Sequence, residues 1–129
     1  MFEVKAKPRL VERAYLISVI LREEERADAE ILLEELEELV SNLGIKIKEK
    51  QVIRTRKTFA GYLVGKGKFE HILAEVGAAN CDVIIFDNEI SPSQQRNWEE
   101  ASKVLVIDRQ EIILDVFAER AQTKEASLQ

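Results

Sequence analysis

The stretch from Cys81 to Asn97, CDVIIFDNEISPSQQRN, constrains the fold more than any other part of the chain. Val83, Ile84, Ile85 and Phe86 form an apolar run too short for a buried helix and rich in β-branched residues. Such a run is a strand buried on both faces, as in a parallel sheet. Asp87, Asn88 and Glu89 follow where that strand must end. In Ser91-Pro92-Ser93-Gln94, Ser91 suits a helix cap and proline suits the first helical position. Gln94 is spaced to reach back to the Ser91 backbone N–H. The stretch reads as strand, polar turn, helix, with polar side chains at the strand's carboxyl end. In open α/β sheets ligands bind at that end.

The remaining elements alternate in the same way. Residues 1–12 include Pro8 and alternating charge, and read as a flexible arm. Arg13–Leu21 reads as the first strand. Glu23–Leu43 reads as a helix, with Leu32, Leu36, Leu39, Val40 and Leu43 inward and Glu34, Glu35, Glu37 and Glu38 outward. Gly44 closes it. Ile45–Arg54 is the second strand. There Ile45 and Ile47 alternate with Lys46 and Lys48, which suits a sheet edge. Gly65–Gly67 turns into a second helix over about Lys68–Val76. The third strand and helix are those above, the helix reaching about Ala101. Lys103–Ile107 is the fourth strand. Asp108 and Glu111 begin a fourth helix, expected to carry Ile113, Leu114 and Phe117 inward. Arg120 to Gln129 continues in helical pattern with no stop signal. The order predicts an α/β fold: a four-stranded parallel sheet, order 2-1-3-4, with helices on both faces.

Composition bounds the function classes. With 46% hydrophobic and 33% charged residues the chain reads as soluble and globular. No apolar run reaches the length of a membrane span. Cys81 is the single cysteine and cannot form an internal disulfide, so a cytoplasmic setting is the expectation. The lone His71 and Cys81 offer no metal-ligand spacing. The net charge of −5 hides a bipolar distribution. Arg22–Glu38 holds nine acids against two arginines; Lys46–Lys68 holds eight basic residues against Glu49 alone. A basic block of this kind is an electrostatic footprint for RNA.

Three groups are candidate sites. Gly61-Tyr62-Leu63-Val64-Gly65-Lys66-Gly67 resembles a phosphate loop only loosely. Such a loop needs four residues before its Gly-Lys and then Ser or Thr, whereas here three intervene and Gly67 follows. Gly65 and Gly67 can still bring backbone N–H groups to a phosphate, or simply make a turn. Asp87, Asn88, Glu89 and Ser93 lie at the ligand-binding end of the sheet; the carboxylates there can equally order a loop. The basic group, Arg54, Arg56, Lys57, Lys66 and Lys68 with Arg96 and Asn97, is the candidate RNA surface. Lys46, Lys48 and Lys50 are already explained as edge protection.

Phe86-Asp87-Asn88-Glu89-Ile90-Ser91-Pro92-Ser93-Gln94-Gln95-Arg96-Asn97 resembles the signature of the N-terminal domain of HflX-type ribosome-associated GTPases. Gly61–Lys68 and Val106–Ala121 resemble two further family stretches, in the same order. The resemblance implies a ribosome-binding and GTPase-modulating module acting on the large ribosomal subunit and its rRNA, in ribosome splitting or rescue. It implies residues 13–121 as the α/β domain and residues 122–129 as the start of a helical linker. It places the GTPase domain, with GTP and Mg²⁺, outside this chain, and makes that domain a second partner. It assigns no cofactor here. Two rivals stay open: a nucleotide-binding α/β domain using the crevice near Asp87, Asn88 and Lys66, and a module that only docks on its own GTPase domain. Without the Gly-x4-Gly-Lys-Ser/Thr loop, the purified chain is expected to show no Mg²⁺-dependent GTP turnover in a phosphate-release assay.

Overall fold

The computed structural model describes residues 2–4 and 9–128. A hairpin opens the chain, β1 (Phe2–Val4) paired antiparallel with β2 (Arg9–Val11). Then come β3 (Arg13–Ile20), a 3-10 turn at Glu23–Glu25, α1 (Arg26–Asn42) and β4 (Lys46–Arg54). These are followed by α2 (Lys66–Ala78), β5 (Val83–Phe86), α3 (Pro92–Ser102), β6 (Leu105–Asp108) and α4 (Arg109–Leu128). The main sheet has four strands, all parallel, in the order β4-β3-β5-β6. With the hairpin strands left out of the count, this is the order 2-1-3-4.

Every residue of β5 is buried, which requires cover on both sheet faces. One core packs Ala14, Leu16, Val83, Ile85, Leu105 and Ile107 against α1 and α4. The other packs Tyr15, Ile17, Ile84, Phe86 and Val106 against α2 and α3. The alternation of these residues along β3, β5 and β6 is the period of two expected for strands facing two layers.

Four expectations need correction. The first twelve residues are not a loose arm where they are described: Phe2, Val4 and Val11 are buried in the α1–α4 core, so the hairpin is held by apolar contact. Residues 5–8 of the expected arm lie outside the described residues. On α1 the inward side is Ala29, Leu33, Leu36 and Val40, and Leu32 is exposed. On α4 Ile112 and Val116 point inward, whereas Leu114 and Phe117 are exposed. Finally, β4 does not alternate evenly. Ala14 pairs with Ile47 and Tyr15 with Glu49, so Lys48 is an extra, bulged residue. A bulge exchanges the faces of everything beyond it. Ile47 and Val52 therefore join the α1 side, and Ile53 joins the α2 side.

Two polar groups fasten the sheet, one within it and one to the α2 layer. Asp82 accepts the Glu12 N–H through both carboxylate oxygens (3.0 and 3.1 Å) and the Arg13 N–H at 2.9 Å. This fixes the start of β3 beside the start of β5. On the α2 side, the fully buried Tyr15 donates to Glu75 Oε1 at 3.0 Å and accepts from Gln51. Burial, and then the Glu75 carboxylate beside it, pushes the Tyr15 phenol well above its ordinary range.

Two tests follow from this packing. Ile112→Ala should cost about 2–4 kcal/mol in urea unfolding, the cost of a core cavity, while Phe117→Ser should stay within about 0.5 kcal/mol. Tyr15 keeps its proton in the folded chain above about pH 10, where an unfolded tyrosine loses it. Its contribution is therefore complete below about pH 10 and declines as pH rises beyond it. Stability measured across that range should fall more steeply for the wild type than for Tyr15→Phe.

Candidate functional site

The carboxyl ends of β3, β5 and β6 carry the polar cluster read from the sequence. Backbone pairing of β5 with β3 stops at Ile17 and Phe86, and the Asp87 N–H adds one bond to the Ile17 carbonyl. The Asn88 side chain then takes over. Its Oδ1 accepts the Val19 N–H at 2.7 Å, and its Nδ2 donates to the Val19 carbonyl at 2.8 Å. Asn88 thus imitates a further residue of strand. Asp87, with its side chain 10% exposed, accepts from Arg109 at 2.7 Å. Arg109 also donates to the Leu32 carbonyl and to Glu35, both at 3.2 Å, so it ties α1, β5 and α4 together. Asp108 caps α4 by accepting the Glu111 N–H at 3.2 Å. Glu89 is exposed.

Two open crevices flank this cluster. One of about 410 Å³ lies between the β3 and β5 ends and the start of α1, at the point where the chain direction across the sheet reverses. Glu24, Glu25, Asp28 and Asp87 line it against the single cation Arg22. That balance opposes a nucleotide's phosphates. The other, of about 370 Å³, is bordered by Glu89, Asp108 and Arg109. Among the described residues no group of three or more His, Cys, Asp or Glu is placed to hold a metal ion.

The basic residues divide between the two faces, and the bulge at Lys48 explains how. Lys50 and Arg54 fall on the α1 side, where Lys50 pairs with Glu37 at 2.7 Å and Arg54 lies 3.7 Å from Glu23. Arg56 and Lys57 lie in the loop that follows β4, and Lys66 and Lys68 at the start of α2. All four are exposed, and no ion pair joins any of them to another described residue. Lys57 sits over the Phe59 ring, 5.2 Å from its centroid. α2 begins at Lys66, two residues earlier than the sequence indicates, so Gly67 lies inside its first turn. Gly65 is the cap residue and supplies no side chain to the first helical N–H groups. Arg96 is exposed in the first half of α3.

The rest of the signature is explained by what it holds. Ser91 Oγ accepts the Gln94 N–H at 3.1 Å and Gln94 Oε1 accepts the Ser91 N–H at 2.9 Å, the reciprocal cap read from the sequence. Ser93 is exposed, its hydroxyl 3.2 Å from that of Ser91. One face of α3 then grips the loop before α2. Gln94 Nε2 donates to the Phe59 carbonyl (3.3 Å), Asn97 Nδ2 to the Gly61 carbonyl (3.0 Å) and Trp98 Nε1 to the Tyr62 carbonyl (2.9 Å). Tyr62 stacks on Phe69 at 3.8 Å, and Phe69 meets Trp98 edge-on at 4.5 Å. Asn97, expected as a free contact residue, therefore has a local partner. The loop-holding roles of Gln94 and Trp98 were missed, because a side chain's reach to a backbone 35 or 36 residues away leaves no local pattern.

A family model described as GTP-binding GTPase N-terminal matches residues 30–118. GTPase HflX of Akkermansia muciniphila is 48% identical over the whole of this chain, which spans 30% of that protein. GTPase HflX of Escherichia coli K12 is 40% identical over 97 residues, 75% of this chain and 23% of its own length. The crystal structure of SsGBP with GDP shares the fold over 83% of this chain and 29% of its own, with a TM-score of 0.53 at 17% identity. No helix among the described residues is long and apolar enough to cross a membrane. The matched residues include the gripped loop, the capped helix and the polar ends of β5 and β6: the chain belongs to the GTP-binding GTPase N-terminal family, the N-terminal domain of HflX-type GTPases.

Proposed function

We propose that this domain is the ribosome-contacting and GTPase-modulating module of an HflX-type GTPase. It meets phosphates of the large subunit's rRNA, and the parent protein acts in splitting or rescuing ribosomes. The observation that carries the reading is the set Arg56, Lys57, Lys66 and Lys68: exposed, at one end of the α2 layer, and without ion-pair partners among the described residues. An uncapped helix start between Lys66 and Lys68 adds backbone N–H groups that favour an anion. Arg96 extends the same side, while Arg54 is shared with Glu23. Gly65 and Gly67 serve here as backbone at the contact.

The chain spans about 30% of the first relatives' length. In this reading the remainder of such a protein binds GTP and Mg²⁺, is the second partner, and is joined to the domain through the helix continuing beyond residue 121. Asp87 and Asn88 serve the architecture of the carboxyl end, Ser93 sits beside the cap of α3, and Glu89 faces solvent. The rival use of that end for a nucleotide is disfavoured by the acidic lining of its larger crevice.

Co-sedimentation with purified large subunits across a salt series tests the reading. Each phosphate contact removed should reduce the log–log salt slope by roughly 0.7–0.9. Replacing Arg56, Lys57 and Lys68 together with Gln should weaken binding and flatten the slope. Replacing Glu34 and Glu38 on the exposed face of α1 with Gln should leave the slope unchanged. An unaltered slope in the basic variant removes this surface from the ribosome contact.

A further inference from the structure

The loop between β4 and α2 is held in a conformation it would not choose alone. Leu63 has φ +68°, in the left-handed region that costs a residue with a β-carbon roughly 1 kcal/mol or more. Its N–H donates to the Phe59 carbonyl at 3.0 Å, closing a tight turn. Such a conformation persists only where its surroundings over-determine it. They do so here through the three donors of α3 and the stacking of Tyr62 on Phe69. Before the turn, the buried Thr55 donates its hydroxyl to the Lys57 carbonyl at 3.2 Å, and its N–H bonds the Ile20 carbonyl at 2.9 Å. Arg56 and Lys57 thus lie between two fixed points, the end of the sheet and the gripped turn. Lys66 and Lys68 begin immediately after the second.

We infer that Gln94, Asn97 and Trp98 are positioning residues for nucleic-acid binding: they present Arg56 and Lys57 in a fixed relation to Lys66 and Lys68 and touch no phosphate themselves. The inference rests on the ribosome reading above. Its physical basis is preorganisation. A loop fixed before binding does not lose that freedom on binding, and the cost avoided appears as affinity. The arrangement also assigns the signature of α3 to a surface on another element. Between Ser91 and Asn97, Arg96 is exposed and makes no bond to the loop or the cap.

The test uses neutral variants that delete a donor without adding charge: Asn97→Ala, which loses the bond to Gly61, and Trp98→Phe, which keeps an aromatic ring but loses the bond to Tyr62. Two quantities are read: hydrogen exchange of the loop amides at 58–64 in the free protein, and large-subunit binding across a salt series. Both variants should exchange faster in the loop while β5 and β6 stay protected. Binding should weaken roughly three- to tenfold, with an unchanged salt slope, because the same phosphates are still met in the complex. Weaker binding by Asn97→Ala without faster loop exchange would overturn the inference and make Asn97 a direct contact. Faster exchange with unchanged affinity would overturn it as well, showing that loop order is irrelevant to binding. If Trp98→Phe unfolds, the half-exposed Asn97→Ala carries the test. Absence of wild-type binding would instead overturn the ribosome reading, and the positioning role with it.

Discussion

The joint between β3 and β5 supports most of what this domain does. Only four residue pairs connect the two strands. Such a short pairing would be a weak place in the middle of the sheet, and side chains lengthen it at both ends. Asp82 takes two backbone N–H groups at the base, and Asn88 takes the N–H and carbonyl of Val19 at the top. Each replaces a missing backbone partner for a part-buried polar group, which would otherwise be left unsatisfied. α3, β6 and α4 all follow β5 in the chain. Their placement relative to α1 and β4 therefore depends on this joint.

Arg109 extends the same logic from strands to helices. Its guanidinium reaches Asp87, Glu35 and the Leu32 carbonyl, so one planar group connects β5, α1 and α4. Burial opposes the charge, but the two carboxylates outweigh that effect and hold its pKa above the ordinary value. The acidic α1 helix is thereby tied to the strand that leads into α3, the helix that grips the basic loop. The cations nearest the acids are the ones neutralised, and those farther along the chain remain available.

Much of this architecture was legible from residue patterns. The Val83–Phe86 strand, the Ser91–Gln94 cap and the strand order followed from apolar runs and capping chemistry, which are local. What escaped was set by tertiary contact. Phe2 and Val4 alternate as a strand should, but Pro8 and the surrounding charges obscured the hairpin. The extra residue at Lys48 is invisible in an alternation only two pairs long. On α4, Ile113, Leu114 and Phe117 are as apolar as Ile112 and Val116, so composition could not say which side meets the sheet. For the site, the basic residues were readable as a block. Their division between faces was not, because it depends on the bulge. Asn88 and Asn97 looked free because nothing within a few residues uses them.

The sequence separation inside the α3–loop contact has a consequence for how the protein is made. Gly61 and Tyr62 are held by residues 36 positions later in the chain. During synthesis from the amino terminus, the loop emerges well before the helix that shapes it. Loop closure over that separation must also precede any contact that rewards it. β3, α1 and β4 can associate earlier, since their contacts are complete by Arg54. The surface bearing Arg56, Lys57, Lys66 and Lys68 is thus completed only after α3 has been made. A nascent chain whose first strands have already formed carries these positive charges before the helix that holds them in register has been made.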